Sequence, residues 1–113
     1  DDFSISGGTL VDVSYALTDK GAKKVYAALS HNVLSEEGIK KIDASPIEFL
    51  VSTDTLECPA ASLSSKIRFI SAAPMFAQAV KIIHDRAPMS TMFEQRVSKR
   101  LLDMSFAEQQ TLI

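Results

Sequence analysis

Thiols and imidazoles are scarce in this chain: Cys58 stands alone, and the two histidines, His31 and His84, lie far apart. A single cysteine excludes an internal disulfide framework and fits a reducing, cytoplasmic setting. Without paired thiols no structural zinc site is expected. Excess positive charge is also missing. Twelve Lys and Arg against fourteen Asp and Glu leave a net charge of −2, so the chain carries no electrostatic footprint for nucleic acid. No apolar run approaches the roughly 18 residues that a membrane helix needs. The N-terminus has neither the basic start nor the apolar centre of a signal peptide. What remains is 113 residues, 46% hydrophobic and 23% charged, enough for one core and not for two.

The most informative stretch comes first. Asp1-Asp2-Phe3-Ser4-Ile5-Ser6-Gly7-Gly8-Thr9 places two carboxylates ahead of hydroxyls and a glycine pair, and runs straight into a helical pattern. Acids suit ribose hydroxyls or a magnesium ion. Adjacent glycines let successive backbone N–H groups converge on one anion with no side chain in the way. The positive end of the following helix favours negative charge at the same place. The bland alternative is a polar turn that caps a helix.

Further along, Leu10, Val13 and Leu17 mark one helix face from Thr9 to about Lys20, and Gly21 supplies a stop. Lys24 to Ser30 has apolar residues that do not alternate, as expected for a strand covered on both sides in a parallel sheet. Ser35 caps a short helix with Glu36 and Glu37 in its first turn and Ile39 and Ile42 facing inward. Ile47 to Ser52 and Ile67 to Ser71 read as strands, with a polar loop holding Cys58 and Pro59 between them. Pro74 opens a helix to about Arg86, with Phe76, Ala79, Val80 and Ile83 as its buried stripe, and Pro88 ends the unit. Phe93, Val97 and Leu101 recur every four residues, and Ser105 to Glu108 fits a capping box. This order of elements predicts an α/β sheet with helices on its faces. Ligands in such sheets lie beyond the carboxyl ends of the strands, so a strand ending at Asp1 is expected upstream.

Five landmarks in register carry a resemblance. Ser6-Gly7-Gly8-Thr9 after Asp1-Asp2 resembles the ribose-5-phosphate loop of the ribose-phosphate pyrophosphokinases, or phosphoribosyl-pyrophosphate synthetases. Gly21 to Ala27 is similar to their strand entry, and Ser30-His31-Asn32-Val33-Leu34-Ser35 to their Thr-His-Gly-Val-Leu-Ser. Ser45 to Thr53 occupies the place of the next strand. Ala73 to Ala79 with Ile83-His84 is similar to the last long helix. The resemblance covers Asp1 to Phe93 and points to the C-terminal half of those enzymes.

It implies a three-layer α/β/α phosphoribosyltransferase-like domain with a mostly parallel sheet over residues 1–93, its first strand upstream, and a helical extension over residues 94–113. It also implies membership of an enzyme that moves the β,γ-diphosphoryl group of ATP to the C1 hydroxyl of ribose 5-phosphate with Mg2+. Position by position, Asp1 and Asp2 would hold ribose hydroxyls and are candidate metal ligands. Ile5, through its backbone amide, and Ser6, Gly7, Gly8 and Thr9 would hold the 5-phosphate. The family's ATP site, metal-binding groups and basic catalytic loop belong to the other half, so no catalytic residue is expected here and the chain alone should be inactive. Homo-oligomers are implied; nucleic-acid and membrane partners are not.

Some positions depart from the pattern. Many relatives carry Asp where Ile5 stands, Asn32 replaces a glycine, and Pro88-Met89-Ser90-Thr91-Met92-Phe93 departs from a regulatory Ser-x-Ser-x-x-Phe. A non-catalytic synthetase-associated regulatory subunit is therefore a second reading, and a salvage phosphoribosyltransferase a third. His31 reads as a hydrogen-bonded structural histidine, His84 as a helix-end charge, and Cys58 as inert. Arg96, Lys99 and Arg100 read as a solvated face.

Overall fold

A computed structural model describes residues 1–93 of the chain. The elements in order are β1 (Phe3–Ser4), α1 (Gly8–Asp19), β2 (Val25–Asn32), α2 (Glu36–Asp43), β3 (Ile47–Thr53), β4 (Ile67–Ile70) and α3 (Ala73–His84). Short 3-10 turns lie at Pro59–Leu63 and Met89–Phe93. The four strands form one sheet in the order β1-β2-β3-β4. Both β1–β2 and β2–β3 pair in parallel, with Phe3 opposite His31, Ser4 opposite Asn32 and Leu50 opposite Ala27. The chain divides into two units, Asp1–Phe69 and Ile70 onward. The α/β class and the parallel sheet are as the sequence implies. A short strand, β1, lies within the opening segment at Phe3–Ser4.

In the first unit the core is Val25, Leu29, Leu34, Ile39, Ile42, Ile47, Leu50 and Ala61. Ile39 and Ile42 come from α2, whose strongly sided pattern fixed them in advance; each such buried side chain contributes about 1.5–3 kcal/mol. Ser35 Oγ accepts the Gly38 N–H at 3.1 Å, and Glu36, Glu37, Lys40 and Lys41 sit at the helix ends that favour their charges. After α1 the chain turns at Gly21, φ 96°, where the Gly21 and Ala22 N–H groups reach back to the Thr18 and Leu17 carbonyls.

Two expectations in this unit change. On α1 the residue turned fully inward is Ser14, 1% exposed, its hydroxyl donating to the Val11 carbonyl at 2.7 Å. Val13 and Leu17 are about half exposed and border an open groove of about 290 Å³ with Leu10, Tyr26 and Ala28. From Val25 to Ser30 the strand β2 is covered on one face only. Val25 and Leu29 are buried, whereas Tyr26 is 53% exposed and Ala28 and Ser30 are open. Apolar residues on both faces concealed the alternation. The open face is not bare: Tyr26 packs on Phe49 with ring centroids 4.7 Å apart, and the Arg68 guanidinium lies 5.2 Å above the Phe49 ring.

The second unit holds α3. Ser71 Oγ accepts the Ala73 N–H at 3.2 Å, and Pro74 stands in the first turn, where no N–H is needed. The helix ends at Arg86, φ 54°, with the Arg86 and Ala87 N–H groups on the Ile83 and Ile82 carbonyls. The expected buried stripe is corrected: Phe76, Val80 and Ile83 are more than half exposed, Ala79 is half-buried, and Ile82 is the residue buried on this helix. Because α3 is apolar nearly all round, periodicity did not single out a face. Of the stripe beginning at Phe93, only Phe93 itself, strongly exposed, is described; Val97, Leu101 and the Ser105 box lie outside the described residues. No helix among the described residues is long and apolar enough to cross a membrane.

Candidate functional site

The loop that joins β1 to α1 is built from two close approaches. Gly7, with φ 70°, is the N-cap of α1 and adopts the left-handed conformation that side chains disfavour. A Cβ there would also meet the Gly38 carbonyl oxygen at 3.2 Å and Ile42 Cγ1 at 3.4 Å. Gly38 is the second approach, since a Cβ on it would stand 2.8 Å from the Ile5 carbonyl oxygen. The same carbonyl accepts the Ser35 N–H at 2.9 Å. The first turn of α2 is therefore pressed against the underside of the loop and holds it. Gly8 differs. Its Cβ would meet only Ser6 Oγ at 3.5 Å, an ordinary contact, so the fold itself does not demand glycine there.

The loop's N–H groups are only lightly engaged. Gly7 N–H reaches Ser4 Oγ at 3.2 Å, and Gly8 N–H reaches Ser6 Oγ at 3.4 Å, near the limit of a hydrogen bond. Val11 N–H, to the Gly7 carbonyl at 3.0 Å, makes the first bond of the helical ladder, so Thr9 and Leu10 precede it. The first turn of α1 carries no acidic residue, whereas α2 has its own glutamates there. Of these two helix N-termini, α1 has the one whose partial positive charge is left for an external anion.

The other sequence-derived site residues fall around this loop. Asp1 and Asp2 are exposed and run alongside β2: the Ser30 and His31 N–H groups donate to the Asp1 and Asp2 carbonyls, and Asp1 Oδ1 accepts the Asp2 N–H at 2.8 Å. Ser6 and Thr9 are exposed beside the glycines. Ile5 points away from them. Its side chain, 60% exposed, lines an open cavity of about 470 Å³ with Phe3, His31, Val33 and Leu56. Among the described residues no group of three or more His, Cys, Asp or Glu is placed to hold a metal ion. His31 is tied in: Nδ1 lies 2.6 Å from Thr55 Oγ1, which lies 2.9 Å from Thr53 Oγ1, which in turn donates to the Ser30 carbonyl. This chain of hydroxyls joins the carboxyl ends of β2 and β3. Cys58 is part-buried, with Sγ 3.5 Å from the Leu34 carbonyl oxygen.

Sequence reasoning overlooked Gly38 and the Thr53–Thr55 pair. A signal for Gly38 existed: glycine inside a helix costs about 1 kcal/mol relative to alanine, so its presence asks for a packing reason.

The family model described as phosphoribosyl synthetase-associated domain matches residues 1–94. A ribose-phosphate pyrophosphokinase of Caldanaerobacter subterraneus is 41% identical over 93 residues, spanning 82% of this chain and 29% of that protein. One of Listeria ivanovii is 39% identical over 94 residues, spanning 83% of this chain and 30% of its own length. The crystal structure of phosphoribosylpyrophosphate synthetase from Mycobacterium smegmatis superposes with a TM-score of 0.72 at 25% identity, over 77% of this chain and 29% of that one. The chain thus spans less than a third of the length of these relatives.

Proposed function

Since the chain belongs to the phosphoribosyl synthetase-associated domain family, we propose that it is the ribose-5-phosphate-binding part of a ribose-phosphate diphosphokinase. Its place in that parent is the C-terminal half. The observation that carries the reading is the start of α1: a left-handed Gly7, lightly engaged amides at Gly7 and Gly8, and a first turn without an acid, at the carboxyl end of a parallel strand.

In this reading the 5-phosphate sits on the amides of Ile5 through Thr9 with the Ser6 and Thr9 hydroxyls. Asp1 and Asp2, upstream on the same segment, hold the ribose hydroxyls. The chain's contribution to the parent reaction is positioning. A fixed 5-phosphate and fixed ribose hydroxyls set the C1 hydroxyl at one place, and diphosphoryl transfer from ATP depends mainly on such placement and on charge neutralisation. Mg2+ supplies the neutralisation when bound. Asp1 and Asp2, both exposed, are the residues that would hold it, since Mg2+ is commonly held by one or two carboxylates with substrate phosphates and water completing the shell. The groups that bind and align ATP lie outside this chain, so the chain alone is inactive. The parent acts in the cytoplasm as a homo-oligomer.

One observation favours a second reading. Ile5 turns an apolar, exposed side chain outward, where the resemblance read from the sequence implies aspartate. A non-catalytic subunit that regulates a true synthetase by co-assembly would tolerate this. The upstream half decides between them: absence of its metal-binding and basic-loop residues favours the regulatory subunit.

Titration calorimetry of the full-length parent with ribose 5-phosphate tests the main reading. Gly8→Asp puts a carboxylate at the proposed phosphate position while leaving room for the fold, and it should abolish binding. Equal affinity in variant and wild type would overturn the assignment.

A further inference from the structure

Asn32 is fully buried, 0% exposed, at the end of β2. Its Oδ1 accepts the Leu34 N–H at 3.1 Å, which fixes the amide's orientation, because the NH2 group cannot accept that proton. The opposite atom, Nδ2, has no hydrogen-bond partner among the described residues. Buried donors are nearly always satisfied, and one left alone calls for an explanation.

Its location supplies one. Asn32 is the register partner of Ser4 in the β1–β2 pair, so the two side chains project from the same face of neighbouring strands. Ser4 Oγ, in turn, accepts the Gly7 N–H at 3.2 Å. The residue opposite Asn32 on β1 thus carries a hydroxyl already engaged by the Gly7 N–H. Gly7 is also the residue whose N–H belongs to the anion loop.

We infer that Asn32 is a positioning residue of this site: when an anion draws the Gly7 N–H to itself, the Asn32 side-chain amide takes over the Ser4 hydroxyl that Gly7 releases. The inference rests on reading the loop as the ribose-5-phosphate site. While the Gly7 N–H is on Ser4, one phosphate-binding amide is blunted and a buried donor goes without a partner among the described residues. In the filled loop the phosphate takes Gly7, Ser4 takes Asn32, and every one of these donors is satisfied. The exchange favours the filled state and couples β2 to the loop. It belongs to this chain's own sequence, because the related Thr-His-Gly segment has no side chain at this position.

Asn32 is the only asparagine in the sequence, so selective side-chain 15N labelling of asparagine gives one NH2 pair in the NMR spectrum of the chain. On titration with ribose 5-phosphate, and with inorganic phosphate as a second probe, that pair should shift downfield. Its exchange with solvent should slow by about tenfold or more. Uniform labelling follows Gly7 and Gly8 in parallel. If their backbone amides move while the Asn32 pair does not, the inference is overturned and the loop reading stands. If none of them moves with either probe, both are overturned. Asn32→Ala should also weaken ribose 5-phosphate binding by about five- to tenfold, and unchanged affinity in a folded variant overturns the inference as well.

Discussion

Gly38 lies so close to Ile5 that a methyl group on its Cα would stand 2.8 Å from the Ile5 carbonyl oxygen. Two effects oppose each other in Gly38→Ala. Alanine gains about 1 kcal/mol in helix propensity. The added methyl meets backbone at Ile5 and Ser6, which cannot rotate away, and overpacking of this kind costs about 1–3 kcal/mol. The clash should win. Urea denaturation is expected to show a net loss of stability together with weaker ribose 5-phosphate binding. A variant more stable than wild type would mean that α2 is free to slide from the loop.

The adjacent glycines should behave differently. Gly7→Ala adds a side chain at φ 70° and against the Gly38 carbonyl, so it should lower stability by about 1–3 kcal/mol. Gly8→Ala makes only an ordinary contact, with Ser6 Oγ at 3.5 Å, and should melt within about 1 kcal/mol of wild type. Yet it should weaken phosphate binding, since the methyl enters the space proposed for the anion. Thermal melts paired with calorimetry separate the two. Equal behaviour in both assays would contradict the division of roles.

At the end of α3, Arg86 occupies a left-handed position that glycine adopts without cost. Both carbonyl-capping bonds there use backbone atoms, so Arg86→Gly keeps them. Relief of the backbone should raise stability by about 0.5–1 kcal/mol. A drop in the melting temperature would instead show that the arginine side chain is needed.

Lys24 donates to Glu48 Oε1 at 3.3 Å and links the start of β2 to the start of β3. The hydrogen bond to Glu48, and then its charge, raises the Lys24 ammonium above its ordinary 10.5. With the folded-state value above the unfolded one, the pair's contribution is complete below pH 10.5 and is lost as pH rises through the folded-state value. Both side chains are about half exposed, so solvent screens the effect. Lys24→Met should lower the melting temperature slightly and equally from about pH 7 to 9, and the difference should fade in high salt and as pH rises beyond 10.5. A difference confined to acidic pH would place the effect elsewhere.

Legibility in the sequence followed how one-sided each segment is. In α2 the serine cap, acidic first turn, Ile39 and Ile42 all pointed the same way, and the helix formed as read, with both isoleucines buried. Along α1 and α3 apolar residues lie on several sides, so the period identified helices without deciding which face is buried. The same surplus hid the open face of β2. At the site, the glycine-hydroxyl loop announced itself through residue types alone. Its support did not, because Gly38, Ser35 and Asn32 reach it by packing and register, which one-dimensional spacing does not encode.

The bond from Ser35 N–H to the Ile5 carbonyl joins residues about 30 positions apart, a long loop to close before any local reward is collected. The cradle around Gly7 is therefore expected to form late in folding, after β2 has paired and α2 has wound. A peptide of the loop and α1 alone would carry the glycines and hydroxyls of the loop without the packing of Gly38 and Ser35 that shapes it.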